Sequence, residues 1–173
     1  VESPVTAAGE SSMLMGLLMG RKLAVVTIGA GYVSIVEKNI RLLGLESRFI
    51  SRQPVRHFEM QTNDLLDAYE GRSDKLISMF ETVARSCVED GADCILAGCG
   101  WMAPCFTLCG YTEVAGTGVA VFDGTSAALK LAEAMGDLSK KGLWKKSSNP
   151  TNPYSSIPSR LSGKIRKQFG LFD

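Results

Sequence analysis

The chain has 173 residues, 45% of them hydrophobic and 21% charged, which describes a soluble globular domain with one sizeable core or two very small ones. A formal charge of +1 excludes an overall acidic or basic character, so bulk charge points to neither nucleic acid nor a membrane as partner. The charge is unevenly spread: residues 137–173 carry a net +6 and residues 1–136 a net −5.

In chain order, the first apolar stretch is Met13 to Met19, seven residues where a bilayer span needs ~20. No membrane segment is predicted. Lys22 to Ile28 is a short β-rich run that stops at Gly29-Ala30-Gly31, beyond which Tyr32, Ile35, Val36, Ile40 and Leu43 recur at helical spacing. This predicts a strand, a glycine turn and a helix, with Gly44 placed to end the helix. Ser47 to Ser51 reads as a second short strand.

From Asp74 to Glu89 the apolar residues form a one-sided stripe, which predicts a helix that Gly91 ends. Asp93 to Gly98 is a buried strand running into the Cys99 loop. Val119 to Phe122 is a further strand, and after Asp123-Gly124 the positions Ala128, Leu131, Ala132 and Met135 mark another helix. Strands alternating with helices across short connections imply an α/β fold, a parallel sheet flanked by helices on both faces. In such sheets ligands bind beyond the carboxyl ends of the strands. The loops Thr27 to Gly31, Gly98 to Pro104 and Asp123 to Ser126 should therefore converge on one rim. Past Gly136 the texture changes to Lys pairs, Ser and Pro150, Pro153 and Pro158. The division predicted is a lobe over residues 1–136 and an extended basic arm over 137–173, ending in a short helix near Leu161 to Phe169.

Five cysteines, Cys87, Cys94, Cys99, Cys105 and Cys109, fall within 23 positions. An odd number in a chain that opens without a signal peptide favours reduced thiols in the cytoplasm over a disulfide framework. Cys99 stands immediately after a buried strand with glycine on both sides, leaving room for a ligand to approach the backbone. If a helix begins just beyond, its dipole and the N–H groups of Gly100 and Trp101 would favour the thiolate and stabilise nearby anionic oxygen. The plainer reading of Cys99 is a small buried hydrophobe. Cys87 lies in the stripe of a helix and Cys94 inside a strand, so both are read as packing residues. The spacing of Cys94, Cys99, Cys105 and Cys109 matches no paired zinc arrangement, and no metal is predicted.

Gly29-x-Gly31-x-x-Ser34 after a strand has the outline of a dinucleotide-binding turn, with serine for the third glycine and Ser51-Arg52 where an acidic residue is expected. An arginine there suits a 2′-phosphate, so an NADP-type nucleotide-binding module is an alternative; the plainer reading is a turn from strand to helix. His57 is the only histidine, so a Cys–His pair would have to join it to Cys99. Between Arg56 and Glu59 it reads better as a solvated loop residue. The basic arm lacks the interleaved aromatics of a single-strand binder, so no nucleic-acid partner is expected.

The run Gly9-Glu10-Ser11-Ser12-Met13, then RKLAVVT, VEKNIRLLGLESRFIS, EDGADCILAGCGWM and VFDGTSAALKLAEA, resembles the hydantoin and allantoin racemase branch of the aspartate/glutamate racemase superfamily. The likeness runs in order from about Pro4 to a closing Asn152-Pro153-Tyr154. It implies one lobe of a two-lobe fold and cofactor-free inversion of a carbon next to a carbonyl. In such enzymes each lobe contributes a cysteine to one side of the stereocentre. By this likeness Cys99 is the second-lobe acid/base, Gly98 and Gly100 with Trp101 line the substrate, and the Gly100 and Trp101 N–H groups face the developing enolate oxygen. Thr27 would hold the substrate's polar edge.

Against that pattern the segment before Pro4, which in the family carries the first cysteine, is absent, and Trp101 stands where small residues are expected. A truncated or fragmentary racemase is therefore the expectation, with a one-thiol isomerase or decarboxylase of the same superfamily as the alternative. The expected partners are a small-molecule substrate and further copies of the chain, because a lobe without its mate should form a homo-oligomer.

Overall fold

The computed structural model describes residues 3–146 together with Gly163, Lys164, Lys167 and Gln168. These divide into two units, Thr6–Leu131 and Val1–Val5 with Ala132–Asp173. In the larger unit, α1 (Ala8–Gly16) leads into β1 (Leu23–Ile28), a 3₁₀ turn and α2 (Val33–Leu42). β2 (Val55–Phe58) and α3 (Thr62–Tyr69) follow, then α4 (Asp74–Glu89), β3 (Cys94–Ala97), α5 (Ala103–Cys109), β4 (Glu113–Val114) and β5 (Val119–Asp123). α6 begins at Gly124 and runs to Lys140.

The sheet order is β2-β1-β3-β5-β4. The pairs β1–β2, β1–β3 and β3–β5 are parallel, and only β4 is antiparallel, at the edge. Both faces are covered, as continuous apolar strands require. Ala24, Val26, Ile95 and Ala97 point into a cluster with Leu76, Phe80 and Ala84 of α4. The alternate residues Leu23, Val25, Cys94 and Leu96 pack with Met13 of α1 and Ile40 of α2. The expected parallel sheet flanked by helices is what the chain forms.

Two local readings need correction. Ser47 to Ser51 is not a strand: Glu46–Arg48 is a 3₁₀ turn, and Phe49 makes one isolated bridge to Leu23. Phe49 and Ile50 are buried, which produced the apolar signal, but Pro54 delays the strand to Val55. His57 therefore lies on a strand rather than in a loop, and Arg52 precedes β2, at the opposite end of the sheet from Gly29 and Gly31. It cannot read a phosphate held on that turn. The helix predicted around Ala128 to Met135 is α6, which runs on to Lys140. The predicted arm beyond residue 146, with Asn152-Pro153-Tyr154 and the three prolines, lies outside the described residues. Of the predicted helix near Leu161 to Phe169, only Gly163, Lys164, Lys167 and Gln168 are described, and they are helical.

Candidate functional site

From β1, sequence order steps to β2 on one side and to β3 on the other, so the crevice between the carboxyl ends of β1 and β3 is the switch point where such sheets bind ligands. β1 ends at Thr27-Ile28 and β3 opens into Gly98-Cys99-Gly100. A cleft of about 440 Å³ sits there. All five predicted site residues, Thr27, Gly98, Cys99, Gly100 and Trp101, line it. Ile28 and Tyr32 add a wall from the end of β1, and Met60, Thr62 and Leu65 add another from around α3.

Gly98 is required by the close approach of the two strands. A Cβ built there would lie 2.5 Å from Val25 Cγ1 and 3.1 Å from Thr27 Cβ. Thr27, only 1% exposed, donates its hydroxyl to the Gly98 carbonyl at 3.2 Å, which locks the strand ends together. The Cys99 carbonyl then accepts from the N–H groups of Met102 (3.1 Å) and Ala103 (2.9 Å), turning the chain into α5. Met102 is fully buried and anchors the loop from below. The N–H groups of Gly100 and Trp101 find no acceptor among the described residues, and both residues face the cleft.

The third predicted loop meets the Cys99 loop. Thr125 Oγ1 donates to the Gly100 carbonyl at 3.4 Å. Asp123 accepts from the Thr125 N–H (2.7 Å), Ser126 Oγ (2.6 Å) and Thr107 Oγ1 (3.0 Å), so it caps α6 and ties α5 to β5.

None of the five cysteines is disulfide-bonded, and their environments separate them. Burial pushes the Cys87 and Cys94 thiols up to about 11, which suits packing residues inside the two faces of the sheet. Cys105 is buried and likewise raised, by loss of solvent around its thiol. Cys109 is exposed at the end of α5. Cys99 is half-buried and is the only one lining the cleft among the described residues. His57 is not with it: its Nε2 lies 3.7 Å from Glu59 Oε1, beside a separate cavity formed with Arg56 and Glu37. Among the described residues no cluster of His, Cys, Asp or Glu is arranged to hold a metal ion, and no helix is long and apolar enough to cross a membrane.

Tyr69, at the end of α3, was not anticipated. Its hydroxyl donates to the Trp101 carbonyl at 2.8 Å. The Cys105 thiol donates to the same oxygen at 3.6 Å. Loss of solvent, and then the neighbouring Cys105, raises the Tyr69 pKa, so the donor keeps its proton at neutral pH. Nothing local in the sequence links Tyr69 to Trp101. The tie exists because α3 packs beside the Cys99 loop.

The profile of the Asp/Glu/hydantoin racemase family matches residues 1–132. A hydantoin racemase of Rhizobium meliloti is 29% identical over 134 residues, 78% of this chain and 52% of that protein. One from Pseudomonas sp. (strain NS671) is 30% identical over 141 residues, 81% of this chain and 52% of that protein. The chain thus spans about half the length of the curated relatives it matches. Among solved structures, an allantoin racemase from Klebsiella pneumoniae superposes with a TM-score of 0.67 at 23% identity, covering 91% of this chain and 59% of its own. An allantoin racemase from Pseudomonas fluorescens gives 0.67 at 28% identity, covering 91% and 63%.

Proposed function

The chain belongs to the Asp/Glu/hydantoin racemase family, and on that footing we propose that it carries the acid/base half of an isomerase acting on a small cyclic ureide of the hydantoin or allantoin type. Cys99 is the proton-transfer group. The C–H of such a ring is acidified by the adjoining carbonyl and nitrogen, and removing the proton moves negative charge onto the carbonyl oxygen. A thiolate takes that proton when hydrogen-bond donors stand ready for the charge. The unengaged N–H groups of Gly100 and Trp101 serve as those donors, and Thr27 Oγ1, whose own proton goes to Gly98, accepts from a ring N–H at the cleft floor.

The observation that carries this reading is the meeting of one half-buried thiol with two free backbone donors in a cleft at the β1/β3 switch point. No residue in the scheme needs a cofactor. Inversion also needs an acid on the opposite face, and the other four cysteines, none of which lines the cleft, do not supply it.

The test is incorporation of solvent deuterium at the ring stereocentre, followed by NMR. Cys99→Ala should abolish it, and Cys99→Ser should lower the rate by ~10²–10⁴-fold with little loss of binding, because a hydroxyl ionises far less readily. Exchange that continued undiminished in Cys99→Ala would remove Cys99 from the chemistry. With this chain alone, one face only should exchange, giving deuterium with retention; inversion by the isolated chain would contradict the single-thiol assignment.

A further inference from the structure

A ureide ring is polar, yet most of the cleft that holds Cys99 is not. Apart from Thr27, Thr62 and the loop backbone its walls are Ile28, Met60, Leu65 and two aromatic rings, and no charged side chain lines it among the described residues. Trp101 leaves 73% of its surface in solvent and Tyr32 57%. Apolar rings left so open to water gain free energy when something covers them.

The Trp101 indole does not hang on a loose loop. Its carbonyl takes both the Tyr69 hydroxyl and the Cys105 thiol, its neighbour Met102 is buried, and the Cys99 carbonyl closes the turn through two N–H groups. A ring whose backbone is already fixed loses little freedom when a ligand stacks on it, so contact there translates efficiently into binding. A charged or ureido group in the same place would be stripped of water against Ile28, Met60 and Leu65 with no charged partner to replace it.

We propose that Trp101, with Tyr32 lining the same cleft and Tyr69 holding its backbone, is the specificity-determining residue of this site and selects ureides whose substituent on the reacting carbon is apolar, aromatic above all. This rests on the proton-transfer reading above and narrows its substrate class.

The test compares deuterium exchange of 5-benzylhydantoin, allantoin and 5-carboxymethylhydantoin by the full protein. The expected kcat/KM is highest for the benzyl compound, by about tenfold or more, the scale on which apolar pockets discriminate. Trp101→Ala should cut the benzyl-to-allantoin ratio about tenfold, and Trp101→Phe should restore most of it. Tyr69→Phe should lower the same ratio by a smaller factor. A wild-type preference for the polar substituents, or a ratio unchanged in Trp101→Ala, would overturn this inference and leave the proton-transfer reading standing. Exchange of none of the three would remove both. Sedimentation of Trp101→Ala completes the test: a changed oligomeric state with an unchanged ratio would mean that the indole belongs to a contact between copies, and the inference fails.

Discussion

Gly98 is the residue on which the site geometry turns. Its lack of a Cβ lets β3 leave the sheet against Val25 and Thr27, and that approach brings Cys99 beside the end of β1. Gly98→Ala is expected to destabilise the fold by about 1–3 kcal/mol, since the neighbours 2.5 and 3.1 Å from the new methyl belong to the packed strand β1 and cannot swing aside. Urea unfolding checks the stability. The same variant should lose more exchange activity than its unfolded fraction accounts for, because Cys99 shifts with it. Glycine on both sides of a strand-end cysteine was visible in the sequence, and that cysteine lines the cleft at the end of β3. Its partner Tyr69 was not visible, because a tyrosine 32 residues away bonds to the Trp101 carbonyl only after α3 has docked.

Among the elements, α3 is the one that the sequence hid and the site needs. It is eight residues long, and its buried positions, Asp64, Leu65 and Ala68, include a carboxylate in place of an apolar stripe. Asp64 accepts from the Gln61 N–H at 2.9 Å and from Lys75 Nζ at 2.6 Å, which holds the helix start to α4. Lys75 first, and then the Gln61 N–H, holds the Asp64 carboxyl below the usual carboxylate value. A lowered pKa means the folded state binds this proton less readily than the unfolded one. Its stabilisation is therefore present above the unfolded carboxylate pKa and is lost as pH falls through the folded one. Asp64→Asn should flatten the acid limb of stability against pH, measured as the urea midpoint from about pH 6 down to pH 3 across the ordinary carboxylate range. An unchanged acid limb would mean that the Lys75 pair does not couple to folding.

α1 was missed for a related reason. Ser11, Ser12, Met13 and Gly16 face the sheet, so close packing of small residues replaced the apolar period that would have announced a helix. β2 was misplaced because Arg56 and His57 make it look like a polar loop. Arg56 is tolerated there because Ser86 accepts from its guanidinium at 2.6 Å and Asp90 pairs with it, both supplied by the end of α4.

For the molecule as a whole, the described lobe leaves Leu14 on α1, Leu18 just beyond it and Leu42 at the end of α2 exposed, in addition to the aromatic rim of the cleft. Apolar surface of that kind is commonly covered by another chain or domain. We expect the chain by itself to form a homo-oligomer, and sedimentation velocity over a concentration series checks it. A compact monomer throughout would show that these leucines need no cover.

The amino-acid order by itself determined the alternation of strands and helices, hence the parallel sheet, because apolar period and glycine stops are local signals that survive without any partner. It also determined where three loops would meet, since parallel strands put their carboxyl ends on one rim. Only the tertiary structure decided which cysteine sees solvent within a cleft, that His57 turns to a different cavity, and that Tyr69 secures the Trp101 backbone. Those outcomes depend on contacts between residues far apart in the chain, set when helices pack on the sheet, and no spacing in the sequence encodes them.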